Sequence, residues 1–120
     1  MENKMTKTQE KVLNEIRDSI AYAKKFDNFK DYHIHVQARY CEGKPCYQEI
    51  LEHYTKQWEK HGEESEKYYK KYWLDKLNNI TLTHCSSATL RALEREGYIR
   101  IIKDSANDRF GIDYVELLKE

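Results

Sequence analysis

The stretch that decides the fold is residues 86–103, which read SSATLRALEREGYIRIIK. Leu90 and Leu93 fall on one face of a helix, because residues three or four apart share a face at this period. Gly97 stands where a helix commonly ends in a left-handed residue. Residues 98–102 are mainly aromatic and β-branched, which favours a strand. The stretch therefore predicts a helix, a glycine stop and a strand.

The residues that follow extend this pattern to a second strand. Residues 104–108, Asp-Ser-Ala-Asn-Asp, have the polar chemistry of a turn. Residues 110–117 then supply a return strand. Helix, strand, polar loop and strand in this order form the second half of a winged helix-turn-helix, so we expect an α+β fold.

Two parts of the sequence resemble bacterial winged helix-turn-helix DNA-binding regulators. The pattern Ser-x-x-Thr-Leu-x-x-Leu-x-x-x-Gly-Tyr-Ile, which begins at Ser86, is similar to their recognition helix and first wing strand. Residues 5–20 are similar to their first helix, notably that of the SOS-response repressor DNA-binding domain. The resemblance implies one winged-helix domain over residues 1–120, with an insertion at residues 27–79, and binding to double-stranded DNA.

The amino-acid composition restricts which binding partners and which cellular compartment we expect. Lys and Arg together number 21, as do Asp and Glu, so no global positive field attracts nucleic acid and any DNA surface must be local. Cys41, Cys46 and Cys85 form an odd set without secreted-domain spacing, and the first residues lack an apolar signal segment. We therefore expect a reduced, cytoplasmic protein. No apolar run approaches the ~20 residues that cross a bilayer, so we expect no membrane span.

The first helix is predicted from about Lys7 to Lys25. Thr6 and Gln9 have the spacing of a capping box, in which each side chain accepts the other residue's backbone N–H. Apolar residues then follow at helical intervals. They are Val12, Leu13, Ile16, Ile20 and Ala23.

An inserted strand is predicted at residues 32–40, which follow a loop at residues 27–31. The segment reads YHIHVQARY, in which apolar or aromatic side chains alternate with polar ones. Every second residue shares a face in a strand, so His33, His35, Gln37 and Arg39 would share the polar face. The period of two predicts a half-buried strand.

A helical segment is predicted from residue 45 to residue 77. Apolar and aromatic residues recur at helical spacing on both sides of Gly62. Because glycine weakens a helix, we favour two helices, with one long dimerisation helix at heptad spacing as the alternative. The residues predicted to form a dimer or partner interface are Tyr47, Leu51, Tyr54, Trp58, Tyr68 and Tyr72.

The aromatic residues concentrate in this middle part of the chain. We favour a role in the core and in helix packing, with base stacking or a partner surface as the alternative. Residues 78–82 are assigned to the turn of the helix-turn-helix, with a short strand at residues 80–83 as the alternative. Thr83 or Ser86 would then cap the recognition helix.

The DNA-binding surface is predicted on the recognition helix and the wing. With Leu90 and Leu93 facing inward, the opposite helix face and the free N–H groups at its start can meet bases and phosphates. Cationic residues near the wing would contact phosphate or the minor groove. The predicted contacts are His84, Ser86, Ser87, Arg91, Arg95, Arg100, Lys103 and Arg109. The acids Glu94, Glu96, Asp104 and Asp108 oppose them.

Metal binding and catalysis have weaker support. The histidines and cysteines lack the paired spacing that zinc prefers, so we expect no metal and no other cofactor. These residues are His33, His35, Cys41, Cys46, His53, His84 and Cys85. Cys85 follows His84, but sequence neighbours seldom form a nucleophile and base, and no phosphate-binding glycine loop is present. We expect no enzyme activity.

The leading functional hypothesis is sequence-specific binding of double-stranded DNA by a transcriptional regulator that acts as a homodimer. Two recognition helices would then meet two half-sites. The alternative is a winged-helix module that binds and inhibits another protein, which the balanced charge favours. The predicted core comprises Val12, Leu13, Ile16, Ile20, Ile34, Val36, Leu51, Tyr54, Trp58, Trp73, Leu77, Leu90, Leu93, Ile99, Ile101 and Ile112.

Overall fold

Helices precede and flank a small antiparallel sheet in this chain. A computed structural model describes residues 5–83, 85–103 and 113–119. The α-helices are α1 (Lys7–Ala23), α2 (Phe29–Ala38), α3 (Tyr47–Leu77) and α4 (Ser87–Arg95), with a 3-10 turn at Arg39–Cys41. The strands are β1 (Ile80–Thr83), β2 (Ile99–Lys103) and β3 (Asp113–Leu117). The expected α+β fold class is confirmed.

The sheet places β3 between the other two strands. The order is β1-β3-β2 and both pairs are antiparallel, with Thr81 opposite Val115 and Ile99 opposite Leu117. The return strand was predicted from residue 110, and residues 110–112 lie outside the described part of the chain. Its described portion confirms the prediction.

The first core joins α1, α4 and the sheet. The capping box of α1 is present, since the N–H of Gln9 donates to Oγ1 of Thr6 at 3.1 Å and the reciprocal bond is also 3.1 Å. The apolar stripe of α1 then packs on α4 and β1. This core consists of Val12, Leu13, Ile16, Ile20, Leu90, Leu93, Ile99, Val115 and Leu117. Sequence reasoning missed Val115 and Leu117.

The strand predicted at residues 32–40 is wrong, because this segment forms α2. Asn28 caps the helix, and its Oδ1 accepts the N–H of Asp31 at 2.9 Å. Phe29 and Tyr32 are buried three residues apart, as one helix face requires. They form a second core with Ala23 and Trp73. Ile34 and Ala38, four residues apart, are buried as well, so α2 buries two faces, and this produces an alternation that resembles a strand.

The break predicted at Gly62 is also wrong, because α3 runs unbroken for 31 residues. The indole of Trp58 lies over Gly62, and a Cβ on residue 62 would stand 2.7 Å from Cε2 of that indole. The absence of a side chain at Gly62 therefore leaves room for the indole of Trp58. The alternative of one long helix is the correct one.

The turn predicted at residues 78–82 is replaced by a helix end and β1. Asn79 has φ of 65°, in the left-handed region that ends helices. Ile80 and Thr81 then lie opposite Glu116 and Val115 of β3 in an antiparallel pair. The predicted alternative of a short strand is correct, and β1 separates α3 from α4.

The predicted core is confirmed for most residues of α1, α4 and β2. Ile34 and Trp73 are also buried. Several predicted core residues are half-buried instead, and four of them pack against the two buried cores. The half-buried residues are Val36, Leu51, Tyr54, Trp58, Leu77 and Ile101. Ile112 lies outside the described residues.

Candidate nucleic-acid interface

Helix α4 carries the centre of the predicted DNA surface. Ser86 caps the helix, since its Oγ accepts a backbone N–H of the first turn at 3.3 Å. Leu90 and Leu93 are buried, and α4 packs on α1 and β2. Arg91 and Arg95 are exposed on the remaining surface. Burial of one face thus turns both guanidinium groups away from the core.

The acids near α4 are engaged in the structure. The backbone N–H of Ile101 donates to Oε2 of Glu94 at 2.8 Å, which ties α4 to β2. On the sheet, Nε of Arg100 lies 2.9 Å from Oε1 of Glu116. Glu94 therefore has a structural role, and a DNA contact by Arg100 would compete with its ion pair.

The structure brings part of the predicted DNA surface together on one element. Ser86, Ser87, Arg91 and Arg95 all belong to α4 and its cap. Arg100 lies on β2, and Lys103 is the last residue of that strand. His84 and Arg109 lie outside the described residues.

Cys85 is half-buried immediately before α4. Burial raises the pKa of its thiol above the ordinary 9.0, the nearby Asp113 raises the pKa further, and a hydrogen bond with Thr83 lowers it. A thiol with a raised pKa stays protonated at neutral pH, whereas a catalytic cysteine needs a thiolate. Cys85 also packs against the first core, which favours a packing role for it.

The residues predicted as a dimer or partner interface differ in how exposed they are. Trp58 packs within the chain, with its ring centroid 5.8 Å from those of Phe29 and His33. Tyr68 is 54% exposed, and Nζ of Lys67 lies 5.8 Å from its ring centroid. Half-buried positions are held by Tyr47, Leu51, Tyr54 and Tyr72. Within this set, Tyr68 has the most accessible side chain for a partner.

Between α2 and α3 lies a groove of about 490 Å³, here named the α2–α3 groove. Its polar lining comes from His33 and Gln37 of α2 and from His53, Gln57, His61 and Ser65 of α3. Tyr54 and Trp58 supply its aromatic lining. Among residues 5–83, 85–103 and 113–119, no group of three His, Cys, Asp or Glu side chains is arranged to hold a metal ion.

Sequence reasoning missed the α2–α3 groove, although the spacing contains its signal. From His53 to Ser65 the polar lining residues of α3 follow at intervals of four, which places them along one helix face. His33 and Gln37 are also four residues apart. The strand predicted at residues 32–40 hid the helical spacing of this second pair.

None of the helices in the described ranges has the length and apolar character needed to cross a membrane.

No protein-family model, curated protein or solved structure matches the chain, so the functional assignment rests on the fold and its surfaces.

Proposed function

We propose that this protein binds double-stranded DNA and that α4 is its recognition helix. The observation that carries the proposal is the division of α4 into a buried face, with Leu90 and Leu93, and an exposed face with Arg91 and Arg95. The succession of α4, β2 and β3 supports a winged-helix arrangement.

The dimensions and chemistry of α4 suit the major groove. An α-helix with its side chains is about 10–12 Å across, so a major groove about 12 Å wide admits it. Arginine can donate two hydrogen bonds to guanine, and the capped N-terminus with Ser86 and Ser87 can meet phosphate. Because Glu94 binds the backbone of β2, its charge is drawn toward the sheet.

The test compares variants of α4 with a variant elsewhere. Arg91→Ala and Arg95→Ala should each weaken binding to a random-sequence duplex, measured by fluorescence anisotropy at low salt. Lys56→Ala removes a positive charge that is also exposed but lies on α3, and it should leave the affinity for the duplex nearly unchanged. Thermal unfolding checks that all three variants are folded. If the α4 variants bind like the wild type, α4 is not the recognition helix.

The proposed regulator acts as a homodimer, and exposed Tyr68 is the residue assigned to the contact between copies. A dimer would place two recognition helices at half-sites about 34 Å apart. Sedimentation velocity tests this assignment with Tyr68→Ala, against Tyr40→Ala as a control at another exposed tyrosine. A dimer that withstands Tyr68→Ala, or a wild-type monomer at all concentrations, contradicts the assignment.

A second candidate function is a winged-helix module that binds and inhibits another protein. Tyr68 favours it, because tyrosine is enriched at protein interfaces and this ring is open to solvent. The balanced charge of the chain also favours it. Co-purification with a stoichiometric protein partner, together with no duplex affinity at low salt, would select this function over DNA binding.

A further inference from the structure

The lining of the α2–α3 groove differs in composition from the rest of this highly charged chain. Asp, Glu, Lys and Arg make up 35% of the sequence, yet none of them is among the described residues that line this groove. The lining offers imidazole, amide and hydroxyl groups instead. Such a surface can donate and accept hydrogen bonds but has no fixed charge with which to hold an ion.

One wall of the groove is an indole in a fixed position. Trp58 lies over Gly62 and contacts the rings of Phe29 and His33, each at 5.8 Å between centroids. It remains partly exposed to the groove. A planar ligand can therefore stack on an aromatic surface that is already held in place.

The polar groups beside the indole are arranged as neutral donors and acceptors. Nε2 of Gln37 lies 3.4 Å from Nε2 of His33, so the amide can donate to a neutral imidazole. Burial lowers the pKa of His33, which favours that neutral form. Gln57 faces the same groove from α3. Amide and imidazole groups on two walls can read the edge of a flat, uncharged heterocycle.

We propose that the α2–α3 groove binds a nucleobase presented by a free nucleoside. The base would stack on Trp58, and its edge would hydrogen-bond with the imidazole and amide side chains. The volume of about 490 Å³ falls within the range of about 300–1,000 Å³ that is typical of small-molecule sites. Since no Lys or Arg is among the described lining residues, the site favours a nucleoside over a nucleotide or a nucleic-acid strand.

The two tryptophans allow a direct test with the full chain. In a ¹⁵N-labelled sample, adenosine, guanosine, cytidine and uridine are added separately while both indole N–H resonances are followed. At least one nucleoside should shift the Trp58 resonance to saturation. Trp73 should shift little, because it is buried and its Nε1–H donates to the carbonyl of Ala23 at 3.1 Å.

Variants test whether the α2–α3 groove is the surface that binds the nucleoside. Gln57→Leu should weaken binding about tenfold through the loss of one hydrogen-bonding group in the groove. Gln48→Leu makes the same change on an exposed part of α3 and should have no effect. Equal affinity of the Gln57→Leu variant and the wild type would contradict the proposal.

Titrations with adenosine 5′-monophosphate and with a single-stranded oligonucleotide test whether the base is bound as a nucleoside, as a nucleotide or within a strand. Each should bind no more tightly than the best nucleoside, and tighter binding of either would overturn the assignment to a free nucleoside. The proposal is also overturned if no nucleoside shifts Trp58 at millimolar concentration. It is independent of duplex binding, so Arg91→Ala should leave the nucleoside titration unchanged.

Discussion

The side chain of Trp58 restricts which residue can stand four positions later, at Gly62. A Cβ at residue 62 would lie 2.7 Å from the Trp58 indole, closer than carbon atoms can approach. Glycine in a helix is usually unfavourable, but here its missing side chain makes room for an aromatic ring. This is a tertiary packing reason that local propensity does not contain.

Gly62→Ala should destabilise the fold despite alanine's higher helix propensity. We expect the free energy of unfolding in urea titrations to fall by up to about 2 kcal/mol, because overpacking costs about 1–3 kcal/mol and helix propensity returns about 1 kcal/mol. The control is the same substitution in a Trp58→Ala background, where the obstacle is gone. There, Gly62→Ala should stabilise the protein, and destabilisation in that background would show that the indole is not the cause.

His33 should make the stability of the fold dependent on pH. Burial lowers its pKa below the ordinary 6.5, so the unfolded chain binds a proton more readily than the folded chain does. The contribution of neutral His33 is therefore complete above pH 6.5 and is lost as the pH falls through that value toward the lower pKa of the folded state.

Replacing His33 by Gln should flatten the dependence of the free energy of unfolding on pH between about 5 and 7. Urea titrations at several pH values measure this slope. His53→Gln is the matched control, since His53 is exposed on α3. An unchanged slope in His33→Gln would show that this histidine does not couple folding to protonation.

At the scale of elements, the sequence predicts most reliably where a local signal and the hydrophobic period agree. Thr6 and Gln9 mark the start of α1, and Leu90, Leu93 and Gly97 mark α4 and its end. Prediction failed where the local signals conflicted with packing, at α2, at Gly62 and at β1. The exposed part of α4 could be predicted because burial of its leucines determines it, whereas the α2–α3 groove requires the pairing of two helices.

The cap of α2 offers a test at this scale. Asn28→Ala removes the acceptor for the N–H of Asp31 and should cost about 0.5–2 kcal/mol of folding free energy. Asn14→Ala, at an exposed interior position of α1, should be neutral or slightly stabilising because alanine is the better helix former. Equal stability of the two variants would indicate that Asn28 does not start α2.

At the scale of the whole molecule, α1 contributes to two cores with different tasks. The core with α4 and the sheet positions the proposed DNA surface. The core with α2 and Trp73 positions the α2–α3 groove. Because α1 contributes to both cores, one helix supports the proposed DNA surface and the α2–α3 groove.

The central claim, that the chain binds duplex DNA, is tested most directly by a fluorescence-anisotropy titration of the wild-type protein with a pooled random-sequence duplex, repeated as salt is raised. Nonspecific dissociation constants of about 10⁻⁴ to 10⁻⁶ M are expected near physiological salt, with tighter binding below it. The logarithm of the affinity should fall linearly with the logarithm of the salt concentration, by about 0.9 for each phosphate contacted. An absence of binding at low salt, or an affinity that does not change with salt, would contradict the account.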